Sequence, residues 1–298
     1  MKRIIEFNGV SRAYVDNVPV LNGISFTSDA GEVIGLLGKN GAGKTTLLHI
    51  AMGMLEAQDG QVQVFGLDPR RDTVAVKRRV GFVSEDQALP SFFTANQVLD
   101  VHRGLFPTWD ESLARDVIAR FDLPTDRKVG KMSKGQARQL ALLCAVAHRP
   151  ELLILDEPAG GLDPHARREF LETSIRLLNE TGTTILFSSH HMNDVERMAS
   201  RLLMLHDGQI WIDSDLDDIR EGYCLALLPK DTSRASERLL AEPGCLCVRE
   251  RPDAVRAVFE MGPEVCESHL RGVFDLGDIQ CRPLPLEEMF IELAGGTT

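Results

Sequence analysis

The run Gly38-Lys39-Asn40-Gly41-Ala42-Gly43-Lys44-Thr45 constrains this chain more than any other stretch, because it fits the phosphate-binding pattern G-x-x-x-x-G-K-[ST]. A loop of this kind curls its backbone N–H groups around an anion, through conformations that glycine permits and a side chain obstructs. Lys44 then offers a point charge to the terminal phosphates of a nucleotide, and Thr45 a hydroxyl to Mg²⁺. Thr46 follows directly and is counted with the loop. The flanks agree. Residues 32–37 (EVIGLL) read as a short buried strand, and residues 45–55 (TTLLHIAMGML) as an apolar helix whose positive end faces the loop.

A site of this kind needs a substantial core behind it, and 43% hydrophobic residues in a chain of 298 supply one. Thirty-three Lys and Arg against 44 Asp and Glu leave a formal charge of −11, and residues 214–298 alone hold nine basic and 17 acidic side chains. That balance speaks against binding a phosphate backbone, so no nucleic acid is expected as a partner. No apolar run is long enough to cross a bilayer, and the opening MKRIIE lacks the apolar region of a signal peptide. A cytoplasmic protein is expected. Six cysteines in a chain of this size make no disulfide framework, which agrees with a reducing compartment.

Residues 2–7, 18–27 and 61–65 alternate apolar with polar side chains and suggest an antiparallel sheet beside the loop. Tyr14 lies between the first two, with two readings open: a half-buried strand aromatic, or a ring that stacks on a purine. Residues 80–83 form a short apolar strand that delivers Ser84-Glu85-Asp86-Gln87 to its carboxyl end, where α/β sheets place ligand contacts. A helical section of about 88–149 follows, with Thr94 and Asp110 as N-caps of its first two helices. Phe92, Phe93, Phe106 and Trp109 crowd it, as a small local core or as a docking surface for a partner helix.

Residues 151–155 are a buried strand ending in Asp156-Glu157-Pro158. Two adjacent carboxylates at a strand end suit a division of labour: Asp156 holds Mg²⁺, and Glu157 orients an attacking water. A further strand, residues 183–187, ends in Ser188-Ser189-His190-His191. Adjacent strand residues point to opposite faces, which favours one functional histidine over a metal pair. Repeating strand and helix units predict a mostly parallel, two-faced sheet that closes near Ile212.

With these landmarks in order, residues 2–213 resemble the ATP-binding subunit of ABC transporters. GKNGAGKT resembles the family's Walker A motif, and LLILDEP its Walker B motif with the catalytic Glu157. Met132-Ser133-Lys134-Gly135-Gln136 resembles the signature LSGGQ, matching at Ser133, Gly135 and Gln136 but with Met132 for Leu and Lys134 for a glycine. Gly160-Gly161-Leu162-Asp163 resembles the D-loop, His190 stands where the family has its switch histidine, and Tyr14 where an aromatic stacks on adenine. Glu85 occupies the place of the Q-loop glutamine, with Gln87 two residues on. Either serves as the Q-loop residue, and a Glu85 carboxylate is able to hold Mg²⁺ or its water.

The resemblance implies an α/β fold of the P-loop NTPase type, with a mostly parallel sheet, an N-terminal antiparallel β subdomain and an inserted helical subdomain, over residues 1–213. Residues 214–298 are expected to form a small C-terminal α+β lobe, with strands at 223–228 and 245–248 and a helix at 235–240. Its ending, residues 285–293, resembles the tail of bacterial export-type subunits. Cys245, Cys247, Cys266, His269 and Cys281 raise a zinc site, but without paired C-x₂-C spacing same-face strand cysteines are the better reading.

The function implied is Mg²⁺-dependent ATP hydrolysis that powers export through a separately encoded membrane-spanning subunit. A second ATP-binding subunit joins head to tail, as homo- or heterodimer, on the cytoplasmic face of the membrane. Two other classes compete. A soluble ABC-type ATPase acting on a macromolecule usually carries two cassettes or long coiled-coil insertions, whereas this chain has one cassette and no heptad run. A small-molecule kinase gives no reason for MSKGQ or for His190.

Overall fold

The computed structural model describes residues 2–14, 18–85, 89–229, 235–274 and 279–294. They divide into two compact units, Met1–Asp213 and Ser214–Thr298. In the first, β1 (Arg3–Ala13) and β2 (Pro19–Asp29) form an antiparallel pair, and β3 (Val33–Leu37) leads through the glycine-rich loop into α1 (Lys44–Ala51). β4 (Asp59–Val64) returns to pair with β1, giving a sheet of order β2-β1-β4. α2 (Thr73–Lys77) and β5 (Val80–Val83) precede three inserted helices, α3 (Ala95–Leu105), α4 (Glu111–Arg120) and α5 (Lys134–Val146). β6 (Leu152–Leu155), α6 (Pro164–Thr181), β7 (Thr184–Ser189), α7 (Met192–Met198), β8 (Arg201–His206) and β9 (Gln209–Asp215) follow.

The second sheet of this unit has the order β5-β6-β7-β3-β8-β9, and β5, β6, β7, β3 and β8 pair in parallel. Its strands read VIGLL, LLIL and TILFSS and are buried along nearly their whole length, the pattern of a sheet covered on both faces. The antiparallel sheet behaves differently: in β1, Ile5 and Phe7 are buried while Glu6 and Asn8 face outward. Phe7 stacks on Phe26, its register partner in β2, with ring centroids 4.8 Å apart.

α1 lies within the core that joins the two sheets, Leu47 and Leu48 packing with Ile5, Leu21, Ile34 and Leu186. A helix apolar on nearly every side is stable only when surrounded in this way. The expected helix reaches Leu55, but the structure ends it at Ala51. Gly53 turns the chain at φ 64°, where an added Cβ would lie 2.2 Å from the Pro69 carbonyl oxygen. In the insert, Thr94 and Gln97 form a capping box at α3, and Asp110 caps α4 by accepting from the Leu113 N–H.

The second unit comprises α8 (Leu216–Gly222), β10 (Cys224–Leu228), α9 (Ala235–Leu240), β11 (Cys245–Glu250), β12 (Val255–Phe259), α10 (Pro263–Phe274), β13 (Gln280–Pro283) and α11 (Leu286–Ala294). Its antiparallel sheet has the order β11-β12-β10-β13. Alternate residues of β10 and β12, among them Cys224, Ala226, Ala257 and Phe259, form one core with Cys266 and Leu270 of α10. Among the described residues no helix is long and apolar enough to cross a membrane.

Candidate functional site

The loop between β3 and α1 is shaped by contact with β2. Gly43 adopts φ 102°, and a Cβ there would meet the Val20 carbonyl oxygen at 2.7 Å, so only glycine lets the backbone turn into the helix at this point. A cavity of about 420 Å³ opens over the loop. Asn40, Gly41, Lys44, Thr45 and Thr46 form its floor, Tyr14 and Val20 one wall, and Glu85 and Glu157 contribute carboxylates from the ends of β5 and β6. Eight expected positions are not on this lining: Ser133, Gly135 and Gln136 of α5, and five others, each of those five for a local reason. Gly38 and Lys39 turn their carbonyls to Lys44 Nζ, which donates to them over 2.8 and 3.3 Å. Ala42 packs against the apolar core, and Asp156 lies buried behind Glu157. His190 reaches the site through Glu157.

Glu157 is the centre of the charge arrangement. Its Oε1 lies 3.3 Å from Lys44 Nζ, and its Oε2 lies 2.8 Å from His190 Nδ1. Lys44 and Glu157 are each 6% exposed. The Lys44 contact lacks hydrogen-bond geometry, which leaves Oε1 a buried acceptor with no hydrogen-bond donor among the described residues. Such an atom is costly unless something donates to it. An anionic oxygen that faces a phosphate loop is placed to accept from a water or a hydroxyl.

Ser188 ties the two consecutive carboxylates together. Its hydroxyl donates to Asp156 Oδ1 over 2.6 Å and accepts from the Glu157 N–H over 2.8 Å. Sequence reading passed over this residue, because Ser188 and Ser189 end an apolar strand as ordinary polar terminators; their only signal was adjacency to His190. Arg138 was also missed. From α5 it donates to the Ser84 carbonyl over 2.6 Å and to the Glu85 carbonyl, and so fixes the loop that carries Glu85 to the cavity. Gln87, the other Q-loop candidate, lies outside the described residues.

One of the two open readings of Tyr14 falls away, and one expectation for the histidines needs correction. β1 ends at Ala13, so Tyr14 is no half-buried strand aromatic: it is 53% exposed, with its hydroxyl 3.1 Å from Thr46 Oγ1. The histidines do not point to opposite faces, because β7 ends at Ser189, before both of them, and their rings lie 3.9 Å apart. His190 meets Glu157, whereas His191 stands at the N-cap position of α7 without a side-chain capping bond; burial, then the charges of Arg167 and His190, holds its pKa below the ordinary histidine value.

Ser133, Gly135 and Gln136 open α5 and do not line the cavity. Ser133 Oγ accepts from the Gln136 N–H and Gln136 Oε1 from the Ser133 N–H, both over 3.1 Å, a capping box that orients the helix start. The aromatic section divides. Phe106 stacks on His148 at 4.0 Å, in a local core, while Phe92 is 68% exposed. A second cleft, of about 610 Å³, runs beside β4, and its Arg70 is ion-paired to Glu56; it has neither a glycine loop nor paired strand-end carboxylates.

The chain was compared with known proteins. The family model described as ABC transporter matches residues 21–160. The Nod factor export ATP-binding protein I of Rhizobium leguminosarum bv. viciae is 33% identical over 305 residues, covering 98% of this chain and 94% of that protein. The ABC transporter ATP-binding protein YtrB of Bacillus subtilis (strain 168) is 32% identical over 229 residues, covering 77% of this chain and 78% of its own length. Among solved structures, an ATP-binding subunit of an ABC transporter superposes with TM-score 0.65 at 28% identity, covering 73% of this chain and 92% of that one. A dimeric ATP-binding cassette in a post-hydrolysis state with ADP and Pi shares the fold, with TM-score 0.64 at 21% identity, over 72% of this chain and 99% of its own. The glycine loop facing strand-end carboxylates across the cavity thus sits in a chain similar to an ATP-binding protein along 98% of its length and to solved ATP-binding cassettes over 72–73% of it, and this chain belongs to the ABC transporter family as an ATP-binding subunit.

Proposed function

We propose that the cavity over Gly38–Thr45 is the ATP site and that Glu157 acts there as the general base of hydrolysis. The observation that carries this reading is the buried Glu157 carboxylate on the cavity wall, its Oε1 facing Lys44 across 3.3 Å while His190 meets the other oxygen. In the proposed cycle the loop N–H groups and Lys44 bind the phosphates, Tyr14 stacks on the adenine, and His190 fixes the Glu157 carboxylate. Glu157 then takes a proton from the water that attacks in line. The donor set suits Mg²⁺, since the Thr45 hydroxyl and the Glu85 and Asp156 carboxylates are hard oxygen ligands. When bound there, the ion supplies charge neutralisation on the phosphates.

Relatives named for Nod factor export support the export direction through a separate membrane-spanning subunit, on the cytoplasmic face of the membrane. Exposed apolar side chains on the helical insert support docking of such a subunit: Phe92, with Val101 and Leu105 four residues apart on one face of α3. A second subunit completes the ATP site, head to tail, with Ser133, Gly135 and Gln136. The test of the chemistry is Glu157→Gln beside Lys44→Ala. The first is expected to abolish steady-state turnover with ATP affinity kept, and the second to weaken ATP affinity. Near-normal turnover in Glu157→Gln overturns the assignment.

A further inference from the structure

Five of the six cysteines fall within residues 214–298, and three of them come together in a way that their spacing does not announce. In the β10/β13 ladder Ala226 faces Cys281, and Cys224 stands two residues from Ala226 on the same face of β10. Cys224 and Cys281 are therefore diagonal neighbours on one face of the sheet. α10 packs over that face and points Cys266 into it, fully buried. The three Sγ atoms all lie within 4.8 Å of one another.

We propose that Cys224, Cys266 and Cys281 form a three-sulfur site for one soft closed-shell metal ion, zinc(II) or copper(I), built into the C-terminal unit. Thiolates select such ions over magnesium or calcium. A metal–sulfur bond of about 2.3 Å separates the ligand sulfurs by roughly 3.8 to 4.0 Å, so a contraction of no more than about 1 Å closes the site. No backbone rearrangement is needed. The three ligands come from two strands and a helix already joined in one core, so the framework is set by folding rather than by the ion.

Binding replaces three S–H protons by three metal–sulfur bonds and releases the protons to solvent, with no change of oxidation state. A zinc(II) site is left with charge −1 and a copper(I) site with −2. The other candidate ligands are placed elsewhere. Cys245 and Cys247 lie on β11, at the opposite edge of the sheet from β13, and His269 Nε2 is bonded to Glu242 over 2.8 Å. Among the described residues no histidine or carboxylate joins the three sulfurs.

The inference does not rest on the ATPase reading, and its test uses no nucleotide. The full chain is reduced, stripped of metal and titrated anaerobically in separate arms with zinc(II) and copper(I), and native mass spectrometry counts the ions bound. A third arm with cobalt(II) reads the thiolate-to-metal charge-transfer absorption. One equivalent of zinc or copper is expected, together with the charge-transfer band. Binding should fall to none at equimolar metal in Cys281→Ser and persist in Cys144→Ser, whose position lies in the other unit. Cys281→Ser is chosen because Cys281 is only partly buried, and its melting temperature is measured alongside. If that variant unfolds, the wild-type arms still decide. A wild-type chain that binds neither ion and shows no charge-transfer band, whether its thiols stay free or oxidise in pairs, overturns the proposal. So does equal binding by a folded Cys281→Ser chain.

Discussion

Glu157 stands on a backbone that residues other than glycine rarely adopt, with φ 46°, two residues beyond the end of a fully buried strand. That turn redirects its side chain from the sheet toward Lys44, and the Ser188 hydroxyl holds it by accepting the Glu157 N–H. Strain of this kind persists only where surrounding bonds over-determine it. His148 is a second residue under constraint. It is 2% exposed, lies against the Phe106 ring, and among the described residues neither ring nitrogen makes a hydrogen bond of good geometry. Burial holds its pKa below the ordinary histidine value of 6.5. The sign follows: below pH 6.5 the unfolded chain takes up a proton that the folded chain refuses, so this contribution is full above 6.5 and is lost as pH falls. Urea midpoints between pH 7.5 and 5.5 are expected to fall less steeply with acid in His148→Phe than in the wild type. Equal slopes would show that His148 is not a source of acid sensitivity. At this scale the sequence was legible where function is local. Lys44, Thr45, Asp156 and Glu157 announce themselves within eight-residue motifs, whereas Ser188 acquires its partners only when β6 and β7 pair, and Cys224 only when β10 meets β13.

The start of α5 shows how one element can serve two purposes. Ser133 and Gln136 form the same capping box as Thr94 and Gln97 on α3, so a purely structural account explains both residues. It does not explain Gly135. A Cβ at that position would have its nearest neighbours, the Ala166 Cβ and the Ser133 hydroxyl, at 3.8 Å, which is ordinary contact. Within one chain alanine fits, and in a helix it is favoured over glycine by about 0.5–1 kcal/mol. Gly135→Ala is therefore expected to melt no lower than the wild type. If α5 opens onto a nucleotide held by a second copy, the same substitution lowers ATP turnover by about tenfold or more, equivalent to at least ~1.4 kcal/mol of transition-state stabilisation. The control is Thr94→Ala against Ser133→Ala. Each loses a cap worth about 1 kcal/mol, and only the second is expected to lower turnover. Unchanged turnover in Gly135→Ala would remove the helix start from the ATP site. Elements with their own signals were readable in this way: caps at Thr94 and Asp110, and apolar runs for β3, β6 and β7. β13 was not, because a short, mostly exposed strand such as QCRP gains its identity from the neighbour it pairs with.

For the whole molecule the decisive fact is what the proposed ATP cavity lacks in one chain. Lys44, Thr45 and Glu157 meet there, but Ser133, Gly135 and Gln136 do not reach the lining. If a second copy supplies them, each ATP lies between Lys44 of one chain and Ser133 of the other, and loss of the two halves becomes separable. Lys44→Ala removes the charge that faces the phosphates, and Ser133→Arg places a long cation where the second chain must approach. Each variant alone is expected to be inactive, since both of its sites are defective in the same half. Mixed in equal amounts, half of the dimers formed at random pair the two variants. In those dimers one site carries both lesions, while the other joins an intact phosphate loop to an intact α5 start. Activity should recover to at most about a quarter of the wild type if each intact site turns over independently, because half the dimers then have one working site of two. ATP should also act as an adhesive, so the dimer fraction measured by light scattering is expected to rise with ATP in Glu157→Gln, where the nucleotide is bound but not hydrolysed. Two results would exclude head-to-tail sites: a strictly monomeric preparation that hydrolyses ATP at the full rate, or an undiminished rate in the Ser133→Arg chain alone. If the mixture stays inactive while mass measurement shows mixed dimers and ATP still promotes association, the two sites fire only together, and the composite geometry stands with a stricter coupling.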